Sequence, residues 1–213
     1  MTIATTAPKV WTGRYFEDFE LGDVFRSRLG RTIEQTDNTW FTLLTCNTNQ
    51  VHFNAEFAAK TTFGRPLVNS CLTLSIVVGL TVPDTSENAM ANLSWDSIKL
   101  PNPVYAGDTI WAESEVLATR ASRSRPNAGI VSVRSRGINQ HGAVVAEFLR
   151  SFMMYRRAAP EVSDRFPDVT APWTVGDRAS TPLQTAPTVR DPEPNRQDNQ
   201  LAARPGGISR DRD

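Results

Sequence analysis

The sequence predicts an α+β fold in which an antiparallel sheet wraps around one long helix, and three observations support this prediction. A short strand and two helical patterns occupy the first part of the chain. The most hydrophobic segment comes next, at 67–82, and its small residues suit a helix that lies close against a sheet. Four strand-like segments follow, and glycine-containing turns separate them.

The first strand is predicted at 24–33, and helices follow it. Thr36 or Asp37 can cap the first helix, because a side-chain oxygen accepts hydrogen bonds from the free amides of the first turn. Helical spacing predicts that this helix buries its large hydrophobic residues, which are Trp40, Phe41, Leu43 and Leu44. A short second helix is predicted at 55–60, capped by Asn54, with its inner side formed by Phe57 and Ala58.

Proline and glycine bound the long helix and the later strands. Pro83 is expected to end the long helix, because proline lacks the amide hydrogen that a continuing helix needs. Gly107 and Gly142 are expected in turns, since glycine tolerates a positive φ. The last strand is long and apolar, as expected of a central strand. The four later strands are predicted at 90–100, 109–118, 130–137 and 143–155.

Composition divides the 213 residues into a folded body at 10–157 and a tail at 158–213. Eight of the fourteen prolines lie in the segment 160–205, together with many Asp, Arg, Asn and Gln residues. A segment with so few large hydrophobic residues cannot bury enough apolar area to offset its ordering entropy. The tail is therefore predicted to be extended and mostly disordered.

Charge and cysteine content exclude several classes of protein. Lys and Arg number 23, as do Asp and Glu, so the chain has no excess of positive charge for nucleic acid or an anionic membrane. Cys46 and Cys71 lack the spacing of a zinc site or a disulfide framework. No segment reads as a membrane span or a secretion signal. We expect a soluble, cytoplasmic protein without a metal.

Two histidines, His52 and His141, are the only candidates for imidazole chemistry. His141 lies in a predicted hairpin turn, where a solvated turn residue is the ordinary interpretation. His52 lies in a polar loop between two helices. From its neighbours alone, it is either a loop histidine among side chains that satisfy backbone groups or a functional residue.

The loop at 46–54 reads Cys-Asn-Thr-Asn-Gln-Val-His-Phe-Asn. Two further segments read Phe-Gly-Arg-Pro-Leu-Val at 63–68 and Pro-Val-Tyr-Ala-Gly-Asp-Thr-Ile at 103–110. In this order they resemble segments of the MaoC-like family of hotdog-fold proteins, which includes the (R)-specific enoyl-CoA hydratases. The hallmark loop of that family is Gly-Asp-x-Asn-Pro-x-His-x-Asp. The resemblance covers 16–157 and implies a hotdog fold, with the sheet wrapped around a central helix.

The resemblance also implies roles for individual residues. In family hydratases the Asp and the His of the loop hold a water molecule, and a backbone amide at the start of the long helix binds the thioester oxygen. On this chain His52 becomes the acid and base, Asn47 stands at the Asp position, and the Ser70 amide becomes the oxyanion donor. Substrate-binding roles are implied for the nearby residues Asn49, Gln50, Gly64, Arg65 and Asn69.

Asn47 departs from the Asp of the family. A carboxamide can orient a water molecule, but it cannot accept a proton at neutral pH. Three alternatives stay open at this point. The protein is not a hydratase, or His52 alone is the base while Asn47 positions the water, or another carboxylate such as Asp37 or Asp96 takes the place of the missing Asp.

The departures from the hallmark loop resemble one branch of the family, the mesaconyl-CoA and itaconyl-CoA hydratases (equivalently, β-methylmalyl-CoA dehydratases). In that branch the substrate is a branched, dicarboxylic acyl-CoA. A fixed cation is needed for its free carboxylate, and Arg65 is the candidate, with an exposed loop arginine as the alternative interpretation. The implied activity is reversible hydration of an enoyl-CoA. A catalytically silent acyl-CoA-binding subunit and an acyl-CoA thioesterase are the alternatives.

The resemblance implies no cofactor, since CoA is part of the substrate. Its phosphates need cations, and three arginines in the loop between two strands are candidates: Arg120, Arg123 and Arg125. A solvated turn is the alternative interpretation of this cluster. Members of the fold pair their sheets edge to edge, so a homodimer or a higher homo-oligomer is expected, in which an otherwise unpaired strand is covered.

Overall fold

A computed structural model of the chain describes residues 11–162, together with Pro167 and Ala171. The chain divides into two units, 1–164 and 165–213, and the fold below is that of the first. The predicted disorder of the tail falls almost entirely outside the described residues. The first tail residues continue the folded body, because Ala159 is buried and a short 3-10 turn follows it.

In the described part of the first unit, two short strands come first, three helices follow and four long strands come last, which is the segregated order of an α+β fold. The helices are α1 (Gln35–Leu44), α2 (Ala55–Ala58) and α3 (Ser70–Thr85). The strands are β1 (Val24–Arg26), β2 (Arg31–Thr32), β3 (Ala89–Lys99), β4 (Thr109–Ala121), β5 (Ala128–Asn139) and β6 (Val144–Tyr155). Short 3-10 turns lie at Phe16–Asp18, Gln50–His52 and Pro160–Val162.

The strands form one antiparallel sheet with the order β1-β4-β5-β6-β3, and the short β2 also pairs with β4. β6 lies between β5 and β3, so the prediction that the last strand is inside the sheet is confirmed. Gly142 has a φ of 78° in the hairpin turn before β6, and Gly107 has a φ of 96° in the turn before β4, as the turns require. Among the described strands β3 pairs with β6 alone, so β3 is an edge strand.

One face of the sheet packs against α3, and we call it the inner face. Alternate residues of β4, β5 and β6 are buried there, as the period of two in a strand requires. Val77 of α3 approaches the sheet at Gly137, where an added Cβ would lie 2.3 Å from Val77 Cγ2. A long helix wrapped by an antiparallel sheet is the hotdog architecture, and the predicted fold class is confirmed.

The boundaries of two predicted elements are wrong. The predicted first strand is two short strands, β1 and β2. The long helix begins at Ser70 instead of Leu67, because Leu67 and Val68 are extended and pair with Tyr105 and Val104. The helix also continues past Pro83 to Thr85. Proline removes only one hydrogen bond so close to the helix end, and the residue four positions earlier is Gly79, which has no side chain.

The predicted inner face of α1 is wrong for three of its four residues. Trp40, Leu43 and Leu44 are between 59 and 75% exposed, whereas Phe41 is partly buried and packs against the hydrophobic core. Asn38 and Thr42 are completely buried. The inner side of α1 is partly polar, because it also binds the backbone and side chains of neighbouring loops. In α2, similarly, Ala58 is buried and Phe57 is 42% exposed.

No helix in the described part of the chain combines the length and the hydrophobicity that crossing a bilayer requires.

Alanine substitutions at two glycines test the described contact between α3 and the sheet. We expect Gly137→Ala to lower the free energy of unfolding by about 1–3 kcal/mol, because the new methyl group overlaps Val77. Gly79→Ala is the matched control, since Gly79 lies in α3 with open space around it, and alanine should raise stability by about 1 kcal/mol. Urea unfolding of both variants measures the difference. Equal effects would contradict the described packing.

Candidate active site

His52 lies at the end of the 3-10 turn Gln50–His52 and is only 7% exposed. Its Nδ1 atom is 2.8 Å from the carbonyl oxygen of Leu67. A carbonyl oxygen can only accept a hydrogen bond, so Nδ1 carries the hydrogen in this contact. In the neutral ring Nε2 is then the proton acceptor. The fold therefore selects the tautomer in which Nε2 can act as a base.

The side chain of Asn38 on α1 holds the loops of the site together. Its Nδ2 atom donates to the carbonyl oxygens of His52 at 2.8 Å and Leu67 at 3.0 Å. Its Oδ1 atom accepts from the amide of Asn69 at 2.8 Å, so one buried carboxamide joins three segments. Sequence reasoning missed Asn38, and the available signal was a polar residue in a helix, with Thr42 one turn further on the same side.

The N-terminus of α3 lies directly after these contacts. The side chain of Asn69 caps the helix, since its Oδ1 accepts from the amide of Cys71 at 2.9 Å. Ser70 is the first helical residue and is exposed, and its amide has no protein acceptor among the described residues. An amide at the first turn of a 16-residue helix also lies at the positive end of the helix dipole. The arrangement suits a developing negative charge on an oxygen.

A cleft of about 220 Å³ opens beside Ser70. The residues that immediately follow β3 form one wall, and α3 and the segment before it form the other. His52 does not line the cleft itself, but the carbonyl group that it binds belongs to Leu67, which does. The lining residues are Phe63, Leu67, Val68, Ser70, Thr73, Leu100, Pro101, Asn102, Pro103, Val104 and Val145.

The predicted amide residues of the loop are used largely within the loop. Asn47 Oδ1 accepts from the amide of Asn49, and Asn49 Oδ1 accepts from the amide of Val51. Gln50 Oε1 accepts from Asn54 Nδ2 at 2.6 Å, and Asn54 caps α2 as predicted. The oxygen of Asn47 is thus occupied, while its Nδ2 has no partner among the described residues. Asn47 can donate a hydrogen bond to a water molecule or a substrate.

The carboxylates that could replace the missing Asp have other surroundings. The N-cap of α1 is Glu34, so the predicted cap at Thr36 or Asp37 is wrong. Asp37 is the third residue of the helix, where it accepts from the amide of Glu34 at 2.9 Å and forms an ion pair with Arg31. Asp96 is exposed on β3 and stands opposite Leu149 in the sheet. The structure brings neither of them to the His52 loop.

Gly64 and Arg65 lie in the turn before the extended segment. Gly64 has a φ of 68°, which favours glycine. Arg65 is exposed, and its guanidinium carbon is 3.9 Å from the centre of the Tyr105 ring. A cation–π contact of this kind holds the arginine at the surface near the mouth of the site rather than within the cleft.

The predicted phosphate-binding arginines do not line the cleft beside Ser70. Arg120 lies eleven residues along β4 from Thr109, which corresponds to about 36 Å of strand. Arg120 and Arg123 line a separate cavity of about 440 Å³ at that end of the sheet, which does not include Arg125. The structure therefore does not bring this cluster to the cleft, and its contact with CoA stays a prediction.

Metal-binding side chains were sought among the described residues. No group of three or more His, Cys, Asp or Glu residues there could hold a metal ion. His141 is exposed in the hairpin turn before β6, as its sequence position predicts.

The fold, the His52 loop and the helix start are those of a MaoC-like hotdog protein, and comparisons identify the branch. The family model for mesaconyl-CoA hydratase matches residues 2–184, so the chain belongs to that family. A curated relative, β-methylmalyl-CoA dehydratase of Chloroflexus aurantiacus, is 34% identical over 76% of this chain and 49% of its own length. The chain spans about half the length of the first curated relatives it matches.

One solved structure agrees with this family, and a second agrees with the fold. A MaoC domain protein dehydratase from Chloroflexus aurantiacus is 33% identical, with a TM-score of 0.67 over 78% of this chain and 46% of that chain. A Mycobacterium tuberculosis protein described as having a double hotdog fold has a TM-score of 0.64 over 76% of this chain and 53% of that chain. At 21% identity the second comparison shows the fold alone.

The contacts of Asn38 predict a large effect of a small change. Asn38→Asp keeps the shape of the side chain but cannot donate to the carbonyl oxygens of His52 and Leu67. We expect the free energy of unfolding to fall by about 2–4 kcal/mol. Two buried carbonyl oxygens lose their donor, and the new carboxylate is buried without a cation. Asn102→Asp, which removes one exposed hydrogen bond to Val144, should cost less than about 1 kcal/mol. Chemical unfolding at pH 7 distinguishes the two, and equal losses would contradict this role of Asn38.

Proposed function

We propose that the chain is a hydro-lyase that reversibly adds water to an enoyl-CoA thioester. The observation that carries the proposal is the hydrogen bond from His52 Nδ1 to the Leu67 carbonyl, because it leaves Nε2 as a base. The exposed Ser70 amide at the start of α3 supports it, since hydration needs a donor for the enolate oxygen. Membership of the mesaconyl-CoA hydratase family supports the same reaction.

The proposed chemistry uses one imidazole for both proton transfers. His52 Nε2 removes a proton from water as the water oxygen forms a bond to the β-carbon of the enoyl group. The electron pair of the double bond moves to the thioester oxygen, which the Ser70 amide stabilises as an enolate. The imidazolium then returns its proton to the α-carbon, the thioester carbonyl forms again, and the product is a 3-hydroxyacyl-CoA.

Asn47 is proposed to position the water rather than to deprotonate it. Its Oδ1 accepts from the amide of Asn49, so the Nδ2 group is the part that faces a ligand. An Nδ2 hydrogen bond to the water oxygen would orient a lone pair towards the substrate. Asp37 already binds the amide of Glu34 and the side chain of Arg31. The described contacts therefore favour His52 as the base and Asn47 as the group that positions the water.

The proposed substrate is a branched or dicarboxylic enoyl-CoA of the mesaconyl or itaconyl type. The family model and the name of the Chloroflexus aurantiacus relative support this class. A second carboxylate on the substrate requires a cation that is held in place before binding. Arg65 is exposed and bound to Tyr105, so it provides a surface charge near the site rather than a buried receptor.

We also propose that the chain acts as a homodimer that pairs β3 with its copy. β3 is an eleven-residue edge strand, and four exposed hydrophobic side chains lie on it or directly after it: Leu93, Trp95, Ile98 and Leu100. An unpaired apolar edge of this length invites strand pairing. The matched relatives are about twice as long as this chain, so a second copy can take the place of their remaining half.

A catalytically silent acyl-CoA-binding subunit is the second candidate, and two observations favour it. Asn47 replaces the family Asp, and His52 does not line the cleft that reaches Ser70. Such a subunit would bind acyl-CoA without turnover. Both candidates therefore bind acyl-CoA, and only the hydro-lyase converts it.

The role of His52 predicts a separation of activity from stability. His52→Asn places an amide nitrogen near the position of Nδ1, so the contact with Leu67 is kept while the Nε2 base is lost. We expect kcat for mesaconyl-CoA to fall by a factor of about 10²–10⁴, with Tm changed by only a few degrees. His141→Asn, in an exposed turn, is the control and should keep wild-type turnover.

The loss of enoyl-thioester ultraviolet absorbance measures the reaction. Wild-type protein that binds acyl-CoA in calorimetry without turnover would support the silent subunit instead. Near-normal kcat in His52→Asn would remove His52 from the mechanism.

The proposed dimer predicts a response to charge on the edge strand. Leu93→Lys should shift the mass measured by light scattering from about twice to about once the 23.6 kDa of the chain, because lysine opposes pairing at an edge. Leu117→Lys is the control. Leu117 is similarly exposed, but it lies on β4, which pairs with β1 on one side and β5 on the other. A wild-type chain that stays monomeric at micromolar concentration would contradict the dimer.

A further inference from the structure

The cleft beside Ser70 is lined mainly by hydrophobic side chains. Among the described residues that line it, eight are hydrophobic and none is charged. The polar ones are Ser70 and Thr73 on α3, and Asn102 on the opposite wall. Arg65, the predicted cation, is not a lining residue and contacts the ring of Tyr105. A substrate with a second carboxylate therefore meets neutral hydrogen-bond donors inside the cleft.

The hydroxyl of Thr73 is held more loosely than the later hydroxyls of α3. Those later hydroxyls donate to helix carbonyl oxygens at 2.7–2.8 Å, and they belong to Ser75, Thr81 and Thr85. Thr73 Oγ1 is 3.4 Å from the carbonyl oxygen of Asn69, beyond the range of about 2.5–3.0 Å that is usual for O–H···O bonds. That oxygen already accepts from the backbone amide of Thr73 at 3.0 Å. With only 2% of the residue exposed, Thr73 offers a buried donor that the helix does not use fully.

This hydroxyl lies close to the proposed oxyanion donor. The carbonyl oxygen of Asn69 and the amide nitrogen of Ser70 belong to one peptide group, in which they are about 2.3 Å apart. Since Thr73 Oγ1 is 3.4 Å from that oxygen, it is at most about 5.7 Å from the Ser70 nitrogen. Helical side chains also tilt towards the N-terminus, which places the Thr73 side chain over the first turn of α3. A ligand of a few atoms can therefore contact both donors.

The acyl group of mesaconyl-CoA has matching dimensions. One double bond separates its thioester carbon from its free carboxyl carbon, and standard bond lengths place the oxygen atoms of the two groups about 4–6 Å apart. With the thioester oxygen at the Ser70 amide, the carboxylate on the β-carbon can reach the Thr73 hydroxyl. The positive end of α3, which is equivalent to roughly half an elementary charge, serves both oxygens as a fixed cation.

Asn102 offers a second donor from the other wall. Its Nδ2 atom donates to the carbonyl oxygen of Val144 at 2.8 Å, and this contact holds the side chain in place. A carboxamide nitrogen carries two hydrogens, and the second one has no acceptor among the described residues. Asn102 is exposed, whereas Thr73 is buried. The two residues thus offer donors at the open and the closed side of the same cleft.

We propose that Thr73, assisted by Asn102, binds the free carboxylate of a dicarboxylic enoyl-CoA whose thioester oxygen is held by the Ser70 amide. Thr73 is then a specificity-determining residue, because its hydroxyl distinguishes a carboxylate from a methyl group on the β-carbon. The proposal rests on the proposed hydratase function. It assigns recognition of the carboxylate to the start of α3 instead of to Arg65.

Two substitutions at Thr73 test this role. Thr73→Val keeps the shape of the side chain and removes the hydroxyl, whereas Thr73→Ser keeps a hydroxyl. We compare kcat/KM for mesaconyl-CoA with that for tigloyl-CoA, in which a methyl group replaces the free carboxylate. The ratio of the two should fall about 10- to 100-fold in Thr73→Val, because the carboxylate loses a hydrogen bond. In Thr73→Ser it should stay within about threefold of the wild-type ratio.

Thr85→Val is the matched control, since Thr85 is an equally buried threonine of α3 that does not line the cleft. It should keep the wild-type ratio. Asn102→Asp should lower the ratio, because its carboxylate repels that of the substrate, and an unchanged ratio would remove Asn102 from the proposal. Equal losses for both thioesters in Thr73→Val would show that the role of Thr73 is structural. That result, or a fall in Arg65→Met without one in Thr73→Val, overturns the proposal.

A binding measurement keeps this inference separate from the proposed function. Wild-type protein that converts neither thioester contradicts the hydratase. Calorimetry should still show tighter binding of succinyl-CoA than of butyryl-CoA, and Thr73→Val should abolish that difference. Turnover of mesaconyl-CoA with an unchanged ratio in Thr73→Val contradicts the inference alone. Equal affinities of the wild-type protein for succinyl-CoA and butyryl-CoA would also overturn it.

Discussion

Three segments that are distant in the sequence meet at the side chain of Asn38. This carboxamide donates to the carbonyl groups of His52 and Leu67 and accepts from the amide of Asn69, and it is completely buried. The Leu67 carbonyl also accepts the ring hydrogen of His52. The position of the imidazole, its tautomer and the start of α3 thus depend on one set of hydrogen bonds, which is expensive to lose because water cannot replace it.

The sequence predicts most of this fold because its signals are local. Alternating burial along β4, β5 and β6, the glycine turns and the Asn54 cap depend on neighbours in the chain. The polar inner side of α1 could not be predicted, because Asn38 and Thr42 can be buried there only when loops from elsewhere in the chain supply their hydrogen-bond partners. The burial of the Arg150 guanidinium on β6, whose Nη1 atom has no hydrogen-bond partner among the described residues, is equally invisible in a sequence, because it depends on everything that surrounds the residue.

The structure places His52 at the end of a 3-10 turn and Ser70 at the start of α3, and their catalytic roles stay a prediction. The resemblance could not show what the loop amides do. Asn49, Gln50 and Asn69 bind within the loop and the helix cap, so their presence has a structural explanation. The proposed chemistry rests on fewer groups: one ring nitrogen, one free backbone amide and one carboxamide nitrogen.

Helix α1 exposes three large hydrophobic residues, unlike an ordinary surface helix, and this has a consequence for how the concentrated protein behaves. Trp40, Leu43 and Leu44 form an apolar stripe one turn long that faces away from the folded body. Salts that strengthen hydrophobic association should make an uncovered stripe of this kind adhesive. The concentrated protein would then tend to precipitate in sulfate, whatever the state of its catalytic residues.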